Sequence, residues 1–225
     1  MNIFFFLLVF ILSPITISLD LSYSDYYLYF KALSSLCFLL CGVFSFTKSK
    51  SKKKYPIFIL LGLLCSLMGD IVIHPSSIPN YFIIGVLFFA IAHIFFIIGF
   101  VTICKIKLRN ILLFIATYSL FIFLIRKYNN IFDFGDIFPF IAIYSALIIF
   151  MIVKSLDLFK YFKYNKFYTL FSILGPILFI ISDTVLLFNV FSIYSSPILN
   201  LLNHITYFPG QALLALSLSK DITVK

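Results

Sequence analysis

Two aspartates stand inside stretches that otherwise suit lipid. Asp70 and Asp183 each fall within a long apolar run, with His93 and His204 inside runs and His74 at the edge of one. An acidic side chain at the centre of a membrane helix costs about 2.5–3.5 kcal/mol, so such residues face a cavity or a partner. Two carboxyl groups sharing a low-dielectric site can divide into one protonated acid and one carboxylate base. Other polar groups fall into register with them. Asn200, His204, Tyr207 and Gln211 are spaced by four, three and four, and Ser66, Asp70 and His74 by four and four, each set on one helix face. Ser182 directly precedes Asp183. The catalytic candidates are therefore Asp70 and Asp183. His93, His204, Tyr207, Gln211, Ser66 and Ser182 are candidates for orienting water or substrate. A lone histidine can instead be a packing residue, and the stripe from Asn200 to Gln211 can be glue between helices.

The elements that must hold these residues are membrane helices. The chain is 63% hydrophobic and 11% charged, with a mean hydropathy of +1.14. A soluble domain of 225 residues has no interior large enough for so much apolar surface. Eight runs approach the roughly 20 residues a span needs: 2–19, 30–47, 57–73, 81–104, 109–125, 137–153, 168–190 and 198–218. They are too continuous for the alternation of a barrel. The expected fold is an all-α polytopic bundle forming one domain over residues 1–225. The first run lacks a positive leader and an A-x-A-like cleavage site, and reads as a retained span. Cys37, Cys41, Cys65 and Cys104 lie in apolar stretches without CxxC spacing, and read as small buried hydrophobes.

The net charge of +9 has its cause in topology. Fourteen of the seventeen Lys and Arg residues fall in alternate loops and at the C-terminus: Lys48, Lys50, Lys52, Lys53, Lys54, Lys105, Lys107, Arg109, Lys154, Lys160, Lys163, Lys166, Lys220 and Lys225. Only Lys31, Arg126 and Lys127 fall on the other side. The positive-inside rule puts both termini in the cytoplasm. At 1.5 Å per residue, Asp70 then lies ~5 Å, and Asp183 and His204 ~10 Å, from the non-cytoplasmic ends of their spans. Spans three, four, seven and eight are expected to surround one cavity in that half of the membrane. The Lys48–Lys54 loop suits anionic lipid headgroups, and no basic and aromatic platform for nucleic acid stands apart from the spans.

The chain also resembles itself. Gly62 leads Asp70 by eight residues, as Gly175 leads Asp183; His93 leads Gly99 by six, as His204 leads Gly210. A unit of four spans makes this a candidate parallel 4+4 repeat about an axis along the membrane normal. Gly85, Ala92 and Gly99, at steps of seven, form a small-residue ridge for close helix contact.

The stretch from Gly85 to His93 with Ile94-Phe95-Phe96, the Ser66-x-x-Gly69-Asp70 turn, the Ile181-Ser182-Asp183 core and the closing Tyr207-x-x-x-Gln211 segment resemble the YhhN-like lysoplasmalogenase family over roughly residues 30–218. Phe96, where an aromatic with a hydroxyl is common, Pro209-Gly210 and a short link after Asp70 depart from its pattern. The resemblance implies hydrolysis of the vinyl-ether bond of a lysophospholipid held within the bilayer, giving a fatty aldehyde and a glycerophospho-alcohol. That chemistry needs one carboxylic acid and one carboxylate, and neither a metal nor another cofactor. Either aspartate fits either role. Two other readings stay open: a transporter with a polar mid-membrane site, and a zinc-dependent membrane amidase or esterase, although no HxxxH pair sets two histidines on one helix face.

Overall fold

The computed structural model describes residues 1–22, 24–48, 54–73 and 79–220. Among them the chain forms eight α-helices: α1 (Asn2–Leu21), α2 (Tyr27–Lys48), α3 (Lys54–Val72), α4 (Pro79–Ile103), α5 (Leu108–Lys127), α6 (Phe138–Leu156), α7 (Lys166–Phe191) and α8 (Pro197–Leu216). Short 3₁₀ turns precede α6 and follow α6 and α8. The all-α bundle expected from the apolar runs is what forms, with every helix end within three residues of that read from the sequence. His74, Lys50, Lys52, Lys53 and Lys225 lie outside the described residues.

Seven helices, α1 to α7, are long and apolar enough to cross a membrane. The eighth falls short in apolarity because its faces carry Asn200, Asn203, His204, Thr206, Tyr207 and Gln211. It nevertheless sits inside the bundle, packed on α7, α1 and α2, with Tyr207, Phe208, Gln211 and Ala212 buried. Polar groups are tolerated there because other helices, rather than lipid tails, surround them. α5 is the opposite case: it packs on α6 and buries only Asn110 and Ile125.

The tightest contacts are within the pairs α3–α4 and α7–α8. Glycines permit them. A β-carbon on Gly175 would meet the Gly210 carbonyl oxygen at 2.9 Å, and one on Gly62 would collide with the fully buried ring of Phe96. The Gly85–Ala92–Gly99 ridge lies against α3, with Ile73 facing Gly85 and Ile59 facing Gly99. All four cysteines are free, and Cys37, Cys41 and Cys104 are buried.

Both ends of the described chain meet at one end of the bundle. Asn2 at the start of α1 donates to Ser219 beyond α8 (2.9 Å) and to Ser45 near the end of α2 (3.4 Å). Tyr55 at the start of α3 hydrogen-bonds Ser172 of α7 (3.0 Å) and Ser217 (3.3 Å). These contacts put the start of α1, the end of α2, the start of α3 and the residues after α8 at one end of the bundle. Lys154 at the same end is not the loop cation its sequence position suggested. It is fully buried and donates to Asp157 Oδ2 (2.7 Å), Asn110 Oδ1 (3.3 Å) and the Lys105 carbonyl (3.2 Å). Arg109 closes on the other oxygen of Asp157 at 2.6 Å. The cluster joins the start of α5 to the end of α6.

Candidate active site

At the opposite, lysine-poor end a cavity of about 770 Å³ opens between α2, α3, α4, α6, α7 and α8. Its walls are mainly apolar, from Phe82, Val86 and Leu87 of α4 through Phe140 and Ile141 of α6 to Leu187 of α7. Asp70 and Asp183 both line it, although they belong to helices from opposite halves of the sequence.

Asp70 is buried on the inner face of α3, 2% exposed. Its Oδ2 accepts from Ser35 Oγ of α2 and from the Tyr207 hydroxyl of α8, each at 2.5 Å. Its Oδ1 lies 3.8 Å from the Lys31 ammonium. Tyr207 is wedged edge-on among Phe38, Phe89 and Phe179, so its hydroxyl is held on the carboxylate by packing from three other helices. Asp183, one face over, accepts at Oδ2 from the Tyr144 hydroxyl of α6 (2.7 Å), with His93 Nε2 of α4 at 3.7 Å. Tyr144 also lies 3.2 Å from His93 Nε2. His93 is fully buried against Phe179, and its Nδ1 has no hydrogen-bond partner among the described residues.

The two aspartates are dressed alike by position and differently by chemistry. Asp70 of α3 meets side chains from α2 and α8; Asp183 of α7 meets side chains from α6 and α4. These are the helices that a 4+4 repeat, as expected from the sequence, would pair. The nearest counterparts, Lys31 and Tyr144, each stand 39 residues ahead of the aspartate they face. In one half the neighbour is a cation, in the other a phenol.

The expected site residues therefore divide. Asp70, Asp183, Ser182, His204 and Tyr207 line the cavity. His93 touches Asp183 from behind the wall. Gln211 and Ser66 pair with each other at 3.1 Å in a fully buried layer and do not line it. Ser182 Oγ accepts from Asn203 Nδ2 (2.9 Å). His204 Nδ1 lies 2.8 Å from the Asn200 carbonyl oxygen, which only accepts, so Nδ1 carries the proton and Nε2 accepts from the Tyr27 hydroxyl (3.1 Å).

Three residues at the site were not singled out from the sequence. Ser35 and Tyr144 are ordinary in apolar runs, and only tertiary packing turns them onto carboxylates. The charge pattern only places Lys31 on the cation-poor side, at the edge of its span. α2 begins at Tyr27 rather than near residue 30, so Lys31 is drawn into the bundle and left 8% exposed. Its isolation on the cation-poor side was the available signal.

The family model described as the YhhN family matches residues 26–218 of the chain. No curated protein and no solved structure matches it.

Proposed function

Because the chain belongs to the YhhN family, we propose that it is a membrane hydrolase cleaving the vinyl-ether bond of lysoplasmalogens to a fatty aldehyde and a glycerophospho-alcohol. The observation that carries this reading is the meeting of two intramembrane carboxyl groups on one largely apolar cavity. An apolar cavity suits the alkenyl chain, and two carboxyl groups suit a reaction that needs an acid and a base.

Two hydroxyls donate to Asp70 and the Lys31 ammonium stands 3.8 Å from it, a setting that suits a base taking up a proton from water. Asp183 has a single phenol donor and a histidine. We therefore assign Asp183 as the acid and Asp70 as the base. Asp183 delivers its proton to the β-carbon of the vinyl ether, and the π electrons form the new C–H bond. The adjacent carbon and oxygen become an oxocarbenium ion. Water adds to that carbon while giving a proton to Asp70. As the resulting hemiacetal collapses, Asp70 gives its newly gained proton to the glycerol oxygen while the C–O bond breaks, the hemiacetal hydroxyl proton passes to Asp183, and aldehyde and alcohol leave with both carboxyl groups restored. No cofactor takes part. His204, Tyr207 and Ser182 orient water and the glycerol from the cavity wall; His93 acts on Asp183 from behind it.

We also propose that both termini are cytoplasmic, supported by the fourteen cationic residues on that side, with anionic lipid headgroups meeting the Lys48–Lys54 loop.

The test is aldehyde release by purified protein in detergent, where a transporter has no turnover. Asp70→Asn and Asp183→Asn should each insert normally and lose activity ~10²–10⁴-fold. The double variant should be scarcely worse than the poorer single one. In heavy water the aldehyde should carry one deuterium at its α-carbon. Near-full turnover by either asparagine variant at normal expression refutes the mechanism.

A further inference from the structure

Lys31 is an ammonium with capacity to spare on the wall of a cavity. An ammonium has three donors. The Ile73 carbonyl oxygen takes one at 3.3 Å, and Asp70 Oδ1 is 3.8 Å away, beyond hydrogen-bond length. Among the described residues it is the only lysine or arginine lining the cavity. Asp20, at the last turn of α1, lines the same end and is half-buried, and its carboxylate makes no hydrogen bond or salt bridge with another described residue. The mouth of the cavity thus offers one underused cation and one unpaired anion, above apolar walls that lead inward.

We propose that Lys31 binds the phosphate of the lipid headgroup, with Asp20 facing the headgroup amine, so that the cavity takes a zwitterionic lysophospholipid by its polar end. The proposal rests on the hydrolase reading for the lipid it names. A phosphate on Lys31 holds the glycerol beside Asp70, because Lys31 and Asp70 are neighbours and only a short run of covalent bonds separates the phosphorus from the ether oxygen at the first glycerol carbon. The alkenyl chain then lies along Val86, Leu87 and Ile141, and the double bond falls between the two carboxyl groups. The competing account is that Lys31 serves only to neutralise Asp70. The two accounts differ in what happens when Asp70 loses its charge. If Lys31 binds phosphate, removing its competing carboxylate strengthens that binding.

The experiment measures binding rather than turnover, by isothermal calorimetry on the full chain in detergent. The probes are 1-O-hexadecyl-glycerophosphoethanolamine, a saturated ether that cannot be cleaved by this chemistry, and 1-O-hexadecylglycerol, which lacks the phosphate. Wild-type protein should prefer the phospholipid roughly ten- to a hundredfold, the range for a hydrogen bond to a charged group. Lys31→Met should abolish that preference and Lys31→Arg should keep most of it. Asp70→Asn should increase it. Asp20→Asn should weaken the preference for the ethanolamine ester over 1-O-hexadecyl-glycerol-3-phosphate. Equal wild-type affinity for the first two probes overturns the proposal. So does an equal loss of both probes in Lys31→Met, or an unchanged or smaller preference in Asp70→Asn. Displacement of the phospholipid by millimolar inorganic phosphate would assign the site to free phosphate and overturn the lipid assignment. Failure of wild-type protein to release aldehyde from the vinyl-ether lipid would sink the hydrolase reading and leave these binding results to stand on their own.

Discussion

Tyr207→Phe is the sharpest test of how Asp70 is held. The substitution removes one oxygen and leaves the ring among Phe38, Phe89 and Phe179, so the packing of α8 is preserved. What is lost is one of two 2.5 Å donors to the same carboxylate oxygen. A hydrogen bond to a charged group contributes about 1.5–3 kcal/mol. At 1.4 kcal/mol per decade, losing it at the transition state lowers kcat roughly 10- to 150-fold. Ser35 remains on Oδ2, so the single variant should fall toward the lower end. Ser35→Ala should behave similarly. The two changes together leave only Lys31 at 3.8 Å and should cost more than the sum of the singles, since contacting groups couple. The assay is initial-rate aldehyde release alongside thermal unfolding in detergent. Wild-type kcat in Tyr207→Phe, at normal expression and stability, would show that the hydroxyl does not serve the reaction and would remove the argument for Asp70 as base.

Three further outcomes follow from other parts of the molecule. Tyr144→Phe removes the 2.7 Å donor to Asp183 and should lower kcat by about tenfold or more, with KM little changed; a changed KM alone would make Tyr144 a binding residue. Lys154→Met leaves Asp157 with Arg109 and Asn110 but without its buried cation, which should lower stability by about 1–3 kcal/mol; Lys154→Met with Asp157→Leu should recover part of that in thermal unfolding, and an additive double variant would contradict the pairing. Reporters fused after Lys225 and inserted after Lys50 should both report the cytoplasmic side, and opposite sides would break the topology.

The bundle was legible in the chain because each helix is written as a continuous apolar run, and lipid enforces helix for any such run. The aspartates were legible because a charge in that setting stands out without knowledge of its neighbours. Their partners were not. A serine at 35 or a tyrosine at 144 carries no local mark of what it touches, since the contact depends on how α2 turns toward α3 and α6 toward α7. Charge counting separates Lys31 from Lys154, which do lie at opposite ends of the bundle, but it could not reveal that both are buried and bonded. The stripe on α8 was read as one face. In the structure it serves three separate tasks: His204 holds Tyr27, Tyr207 holds Asp70, and Gln211 holds Ser66.

The correspondence between Lys31 and Tyr144 also gives the site a direction. Two identical halves would make the carboxylates interchangeable, and a proton shared across the cavity would have no side to come from. One ammonium replaced by one phenol ends that degeneracy. The α2–α3 side carries a cation beside its aspartate and the α6–α7 side a neutral phenol. In the proposed reaction a double bond lying between the aspartates would meet a donor on one flank and an acceptor on the other, and an elongated lipid would have one productive way round. Handedness of attack would then be set by a single pair of unlike residues.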